Sequence, residues 1–410
     1  MKIAIFEPEP RVCGPLTWAG HLKSGMEELG HEVKTVSPTK SGRSRTSWGS
    51  PKPGGRWWSS APDLVPKISD APRVFDDFDL VVLPEPKSMT SDKPAAKAGV
   101  VPWYVETLRT TKTRFTTALH GNTYNEKTAP YALEILGLDN FCGVLFNHDT
   151  LAHEASEEIR KHKIVDLALP YRARVDIDAA FPRDKTVGCS GRFMFNKGSH
   201  VVGLAGQHLD PDVTVEVWGS CSTGLGPSLT YTLFEVLKPM AKIGQCVRYN
   251  NTGDPELDGN NVQPFTFDVR VKDRALVRYL GNYTDPVAIC GRLTVHVNLT
   301  STKYANGIEY TTLEALDAGS LCVTPPHCSE PDILRTLVID GWVNSPGSVK
   351  AAVTKPEPVK HAAVTIEKAL SFLERPESEH RQVVEFNRER IRTKWNPREV
   401  AETMIGEALA

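Results

Sequence analysis

Apolar and polar positions alternate along most of the chain with two different periods. Short runs rich in valine, isoleucine and leucine, typical of buried strands, are separated by longer stretches with helical periodicity. A first series of predicted strands lies at 2–6, 32–36, 80–84, 114–119, 143–147 and 163–169, and a second at 186–190, 213–218, 277–280, 294–299 and 320–324. Two successive sets of strand–helix units predict two doubly wound α/β domains, at 1–170 and 185–390.

Two predicted helices carry clear end signals. Between the first two strands, Trp18, Leu22, Met26 and Leu29 fall on one helical face, and Gly30 is placed to end that helix. In the tail, residues 391–410, Asn396 and Pro397 mark a helix start, and an apolar stripe follows at Ala401, Met404, Ile405 and Ala408. The stripe indicates a helix that packs on another part of the protein.

Two segments interrupt the alternation. Residues 39–62 are rich in serine, glycine and proline, and they hold five cations, three tryptophans and no acidic residue. This composition predicts a long loop. Residues 220–272 contain further turn-forming clusters and suggest an insertion within the second domain.

Composition limits the partners and the compartment. The net charge of −2 leaves no basic surface over the whole chain, so a nucleic acid would have to meet a local patch. No stretch is long and apolar enough to cross a bilayer, and the first residues lack the apolar core of a secretion signal, so we expect a cytoplasmic protein. The glycosylation sequons at 250, 282 and 298 carry little weight in that context.

The segment "GRFMFNKG" follows the predicted strand at 186–190 and presents two cations, Arg192 and Lys197. Loops at the carboxyl edge of a parallel sheet are where α/β proteins bind ligands, and two cations there suit a diphosphate. The alternative interpretation is a pair of solvated charges at a helix start. A P-loop is excluded, because that motif requires glycine before the lysine and residue 196 is asparagine.

A second motif, "NGIEYTTLEALDAG", runs from a turn into a short predicted helix that ends at Gly319. The backbone N–H groups at its start, about 307–312, can bind an anion. Glu314 lies in the early turns of this helix and could accept hydrogen bonds from a ribose diol, although a solvated helix glutamate is the alternative. Both motifs follow strands of the same domain.

Together these segments resemble the GT-B glycosyltransferases of the retaining family four. "CGPLTWAGHLKSGMEELGHEV" is similar to that family's glycine loop and first helix, "RFTTALHGN" to the strand that delivers a histidine, and "GRFMFNKG" to its phosphate clamp. "NGIEYTTLEALDAG" resembles its E-x7-E element. The resemblance implies two Rossmann-like domains facing a central cleft, with the tail 391–410 packing back on the first domain.

The resemblance also implies roles for individual residues. Arg192 and Lys197 would hold the donor diphosphate, Glu314 the ribose, and His120 the sugar region, while Gly14 would let the first loop approach the substrates. The implied donor-binding and catalytic residues are His120, Arg192, Lys197, Asn306, Gly14, Gly307, Ile308, Glu309, Tyr310, Thr311 and Glu314. The co-substrate would be a UDP- or GDP-linked sugar, with no metal and no further cofactor.

One residue departs from the family pattern. Asn306 stands where the family has the first glutamate of E-x7-E. An amide still hydrogen-bonds a sugar hydroxyl but brings no negative charge, and Glu309, three residues later, could substitute for it.

Three functions fit these observations. The first is a transferase that moves a hexose or pentose from a nucleotide sugar to an acceptor hydroxyl. The second is a sugar-nucleotide epimerase of the same fold, and the third is a non-catalytic nucleotide-sugar-binding protein. The oligomeric state is not indicated by the sequence.

The basic loop 39–62 is the candidate for acceptor recognition. Its cations and tryptophans suit phosphate contacts and base stacking, which would fit DNA with a hydroxylated base. They suit a phosphorylated sugar or an anionic lipid headgroup equally well. The residues in question are Arg43, Arg45, Arg56, Trp57 and Trp58.

Overall fold

The structure is a computed structural model of the 410-residue chain. It describes residues 1–7, 14–40, 62–85, 101–119, 130–147, 157–174, 184–191, 194–219, 233, 235–237, 241–249, 266–281, 286–302 and 307–410. The chain divides into two compact units. Unit 1 comprises Met1–Arg172 and Arg392–Ala410, and unit 2 comprises Ala173–Ile391.

Unit 1 is built on a parallel sheet. Its strands are β1 (Lys2–Phe6), β2 (Glu32–Val36), β3 (Leu80–Leu83), β4 (Phe115–Leu119), β5 (Phe141–Asn147) and β6 (Lys163–Asp166). They lie in the order β2-β1-β3-β4-β5-β6, and each neighbouring pair is parallel. The winding therefore reverses at β1, which pairs with β2 on one side and with β3 on the other.

The helices of the first part of the chain pack apolar side chains on this sheet. They are α1 (Gly14–Glu28), α2 (Ala71–Phe75), α3 (Trp103–Thr110), α4 (Pro130–Leu136) and α5 (Glu157–Arg160). Phe6, Phe75 and Phe115 are fully buried in the core between sheet and helices. The predicted face of α1 is confirmed at Trp18, Leu22 and Met26, which are fully buried, whereas Leu29 lies just beyond the helix end at Glu28 and is half-buried.

Unit 2 contains a larger sheet. Its strands are β7 (Thr186–Cys189), β8 (Thr214–Trp218), β9 (Ala241–Tyr249), β10 (Thr266–Val271), β11 (Leu276–Gly281), β12 (Val295–Val297), β13 (Leu321–Thr324) and β14 (Leu337–Val338). Their order is β14-β13-β12-β7-β8-β11-β10-β9. The pairs from β14 to β11 are parallel, and β11, β10 and β9 pair antiparallel. Here the winding reverses at β7, between β8 and β12.

The helices that follow along the chain are α6 (Ser199–Ala205), α7 (Pro286–Arg292), α8 (Tyr310–Ala318), α9 (Val349–Thr354), α10 (Glu357–Ser371) and α11 (Glu377–Lys394). Buried aliphatic residues of α6 and α10 form one core cluster with those of the sheet, including Val202, Val215, Val295 and Ile366. Across the described ranges, no helix combines the length and the apolar character that a membrane span requires.

The structure shortens one predicted strand and shows strands within one predicted interruption. The strand predicted at 163–169 ends at Asp166, because its partner β5 ends at Asn147, with which Asp166 is paired. The segment 220–272, interpreted as an insertion, supplies β9 and β10, which extend the sheet at its β11 edge. Antiparallel pairing at this edge needs only short connections, whereas parallel strands need long crossovers.

The tail helix α12 (Pro397–Leu409) belongs to unit 1 and packs on α1. As the sequence predicts, Asn396 caps it: the Asn396 side chain accepts a hydrogen bond from the Arg398 N–H at 3.0 Å. The stripe from Ala401 to Ala408 is buried. At the contact, a Cβ on Gly25 would lie 2.0 Å from the carbonyl oxygen of Pro397, so the two backbones meet without space for a side chain.

We expect Gly25→Ala to destabilise unit 1. The added methyl group would overlap the backbone of Pro397, and overpacking of this kind costs about 1–3 kcal/mol or more. The melting temperature should fall by several degrees. Gly406→Ala in α12 is the matched control, because nothing lies within 4 Å of its added Cβ and alanine favours helices by about 0.5–1 kcal/mol. Equal melting temperatures for the two variants would contradict the close contact.

Candidate functional site

The carboxyl edge of β7 and β12 brings the two sequence motifs together. The loop after β7 carries Lys197, and the loop after β12 leads to Glu309 at the start of α8. β7 and β12 are parallel neighbours at the strand where the winding reverses, which is where open α/β sheets bind ligands. The Lys197 ammonium group pairs with Oε1 of Glu309, and both side chains are mostly buried, with 20% and 13% exposed.

The other oxygen of Glu309 is held by two neutral donors. The Asn298 amide donates to Oε2 at 2.8 Å, and the Thr300 hydroxyl donates to the same oxygen at 2.7 Å. Asn298 also donates to the Thr312 hydroxyl at 3.1 Å and accepts from the Thr300 N–H at 3.0 Å. The Glu309 carboxylate is therefore fixed in position, and it fixes Lys197 in turn.

Backbone packing holds the loop that carries Lys197 on the end of β12. This loop, whose described residues are 190–191 and 194–198, is called the lysine loop below. The N–H of Ser301 donates to the carbonyl oxygen of Asn196 at 2.8 Å. Gly198 follows Lys197 with φ of 69°, a left-handed conformation that favours glycine. A Cβ on Gly198 would lie 2.5 Å from Cβ of Leu299. The loop can take this position only because residue 198 has no side chain.

A buried histidine anchors the other end of the same loop. The Ser190 hydroxyl lies 3.1 Å from Nε2 of His296, and the Ser190 N–H donates to that nitrogen at 3.3 Å. Burial lowers the pKa of His296 to about 4, so the ring is neutral near pH 7 and Nε2 can accept. His296 thus positions the residue directly after β7.

The start of α8 differs in detail from the sequence-based expectation. The helix begins at Tyr310, with Glu309 as its N-cap residue. The N–H of Thr312 donates to the carbonyl oxygen of Glu309 at 3.0 Å. Contrary to the prediction, this N–H group is therefore not available to an anion. Gly319 ends the helix with φ of 92°, as predicted.

Glu314 lies on α8 and is 6% exposed, so it is not a solvated surface residue. Burial, and next the negative charge of Glu314, raise the pKa of the Tyr310 hydroxyl well above its ordinary value. Gly307, Ile308 and Thr311 flank this helix start, and Thr311 lies 3.4 Å from a Cβ built on Gly191 of the lysine loop.

Several residues proposed from the sequence lie outside the described part of the chain. They are His120, Arg192, Asn306, Arg43, Arg45, Arg56, Trp57 and Trp58. Gly14 is described and is the first residue of α1. In the described ranges, no cluster of three or more histidine, cysteine or acidic side chains could hold a metal ion.

Sequence reasoning did not identify Asn298, Thr300 or His296. Asn298 begins one of the three sequons, yet its side chain is 5% exposed and forms part of the network around Glu309. His296 lies in a strand otherwise made of valines. A histidine in such an apolar strand is a sequence signal that could have identified it as a buried hydrogen-bonding residue.

The fold matches several solved structures over nearly the whole chain. An alpha-glucosyltransferase in complex with UDP and a 13-mer DNA containing a HMU base is 15% identical, with a TM-score of 0.64 and full coverage of both chains. An alpha-glucosyltransferase in complex with UDP-glucose and DNA containing an abasic site has a TM-score of 0.63 at 15% identity, and the match again covers all of both chains. Anabaena Alr3699/HepE in complex with UDP and glucose is 11% identical, with a TM-score of 0.58, covering 99% of this chain and 98% of that one.

No protein-family model and no curated protein sequence matches the chain. At identities of 11–15% the structural likeness establishes the fold, while membership of family four stays a prediction. The predicted fold class is confirmed: the chain is a mixed α/β protein with two parallel-dominated sheets, and its fold matches these solved structures.

Proposed function

We propose that the chain is a glycosyltransferase that moves a sugar from a nucleotide-sugar donor to an acceptor hydroxyl, with retention of anomeric configuration. The observation that carries this proposal is the position of Lys197. The lysine is held by Glu309 at the carboxyl edge of unit 2, where the winding of its sheet reverses. The glycosyltransferases of similar fold were solved with UDP or UDP-glucose, which favours a UDP-linked donor.

The chemistry follows from the charge that develops during transfer. When the bond between sugar and diphosphate breaks, negative charge accumulates on the leaving phosphate. A cation held in place beforehand, in a mostly buried site, stabilises that charge without reorganisation. Lys197 meets this requirement, and Arg192 of the same loop would provide a second cation.

Glu309 holds the Lys197 ammonium group in place without cancelling its attraction for a diphosphate. An ammonium group has three N–H donors, and the carboxylate of Glu309 is shared among Lys197, Asn298 and Thr300. Its negative charge is therefore spread over three donors, which lessens its repulsion of a diphosphate. Glu314, buried in α8, would accept hydrogen bonds from the ribose of the nucleotide.

For the acceptor we propose DNA with a hydroxylated base. Two features support it: the five cations and three tryptophans of residues 39–62, and the alpha-glucosyltransferase of the same fold that was solved with DNA containing a HMU base. Cations contact phosphates irrespective of base sequence, and tryptophans stack on unpaired bases.

Lys197→Ala should reduce kcat/KM for UDP-glucose consumption about 100-fold or more, because removing one preorganised charge-stabilising group typically costs 10²–10³ in rate. Calorimetry should show weaker binding of UDP as well. Lys185→Ala is the control: this lysine is exposed and pairs with Asp212 at 2.8 Å on the surface of the same unit. Turnover by the Lys197 variant within tenfold of wild type would refute the assignment.

Activity should require no divalent metal, because Lys197 and Arg192 supply the positive charge that a metal would otherwise bring to the diphosphate. We expect turnover of UDP-glucose to be unchanged after dialysis against EDTA. Loss of activity in EDTA that manganese or magnesium restores would show that a metal takes part.

Replacing Arg43, Arg45 and Arg56 together with serine should weaken DNA binding and make its dependence on salt shallower. Each lost phosphate contact removes about 0.9 from the slope of log K against log salt concentration. The control replaces three exposed lysines of unit 2, Lys350, Lys355 and Lys360, with serine. UDP affinity should be unchanged in both variants. A salt slope equal to that of wild type in the arginine variant would exclude this loop as the DNA contact.

A further inference from the structure

Glu7 occupies in unit 1 the kind of position that the lysine loop occupies in unit 2. It follows β1 directly, at the carboxyl edge of the sheet, and β1 is the strand where the winding of unit 1 reverses. This is where α/β sheets bind ligands. No sequence pattern singles out Glu7, because an acidic residue after a strand is ordinarily a solvated loop residue.

The Glu7 side chain is mostly buried, and no described residue pairs with its carboxyl group. Glu7 is 8% exposed, and its backbone N–H donates to the carbonyl oxygen of Val36 at 2.9 Å. Within the described ranges, its carboxyl group has neither a hydrogen bond nor an ion pair. Buried polar groups are almost always hydrogen-bonded, because leaving one unpaired costs free energy. A mostly buried carboxyl group at the carboxyl edge of the sheet, with no partner among the described residues, is therefore a candidate for binding a ligand.

The charged neighbours of Glu7 are already engaged with each other. The Lys23 ammonium group lies 2.6 Å from Oδ2 of Asp63, and the same oxygen accepts from the N–H and the hydroxyl of Thr35 at 2.7 and 2.9 Å. Although burial acts to raise the pKa of Asp63, these hydrogen bonds lower it overall. Asp63 thus differs from Glu7, because one of its carboxylate oxygens accepts three hydrogen bonds.

Burial raises the pKa of Glu7 from 4.5 to about 8, an effect that the charge of Asp63 increases and that of Lys23 reduces. Near pH 7 the group is therefore mostly a neutral carboxylic acid, with one O–H donor and acceptor lone pairs. A neutral acid attracts a cation only weakly, and one partner that both donates and accepts can satisfy its O–H and its carbonyl oxygen together. A hydroxyl group is such a partner.

We propose that Glu7 binds a hydroxyl group of a substrate at the carboxyl edge of the unit 1 sheet. This inference rests on the proposed function, in which both substrates carry hydroxyls: the sugar of the donor and the hydroxylated acceptor. The shared chemistry is a hydrogen bond between a neutral carboxyl and an alcohol.

Two variants separate binding from packing. Glu7→Gln keeps an uncharged group that donates and accepts, whereas Glu7→Leu fills a similar volume with apolar atoms. We expect Glu7→Gln to bind like wild type at pH 7, and Glu7→Leu to bind at least tenfold more weakly while remaining folded. Removing an unpaired buried carboxyl should make the leucine variant as stable as wild type or more so.

Two probe pairs identify the source of the hydroxyl. If it belongs to the donor sugar, Glu7→Leu weakens binding of UDP-glucose but not of UDP. If it belongs to the acceptor, the variant weakens binding of a 13-mer DNA containing 5-hydroxymethyluracil but not of the same DNA containing thymine. Unchanged affinity for UDP-glucose and for the modified DNA in a folded leucine variant would overturn the proposal. Failure of the wild-type protein to bind UDP would instead refute the proposed function, and this inference with it.

A thermal melt checks the unpaired state independently of any substrate. Because the pKa of folded Glu7 lies above its ordinary 4.5, its contribution to stability is complete below pH 4.5 and is lost as the pH rises towards 8. Relative to wild type, Glu7→Gln should therefore gain several degrees in melting temperature between pH 5 and pH 8.5. A difference that does not vary with pH would show that the pKa of folded Glu7 is not raised, and would contradict the neutral carboxyl group on which the proposal depends.

Discussion

In a doubly wound parallel sheet the connecting helices cover opposite faces on the two sides of one strand, and the candidate site depends on that constraint. The loops on either side of that strand diverge and leave room at its carboxyl end. In unit 2 this point lies between β7 and β12, which brings Lys197 and Glu309 together from distant parts of the chain. In unit 1 it lies between β1 and β3, where Glu7 is found.

The two sites use buried charge in opposite ways. Lys197 and Glu309 lose most of their hydration, and the hydrogen bonds from Asn298 and Thr300 offset part of that loss. The result is an ammonium group fixed before any ligand arrives. Glu7 has no such support among the described residues, so it avoids the cost of burial by taking up a proton. One site therefore presents a charge and the other a neutral donor and acceptor.

Local patterns explain which features the sequence could predict. The apolar runs of β1, β3 and β12, the buried face of α1 and the cap at Asn396 all follow from residues close together in the chain. The pairing of Lys197 with Glu309 and the support from Asn298 depend on which strands become neighbours, and periodicity does not encode strand order. Glu7 was missed for a related reason: burial of a residue at a strand end depends on elements that lie far away in the sequence. His120, Arg192 and Asn306 remain predictions from the sequence.

The contact between Gly25 and Pro397 bears on how the protein folds during synthesis. Helix α1 precedes unit 2 in the chain, whereas the helix that packs on it, α12, follows the whole of unit 2. Domains usually fold in the order in which they are made. Here the surface of α1 that packs against α12 stays exposed until unit 2 has been translated. Unit 1 is therefore completed only after unit 2 has been synthesised, and until then its nascent form exposes apolar surface.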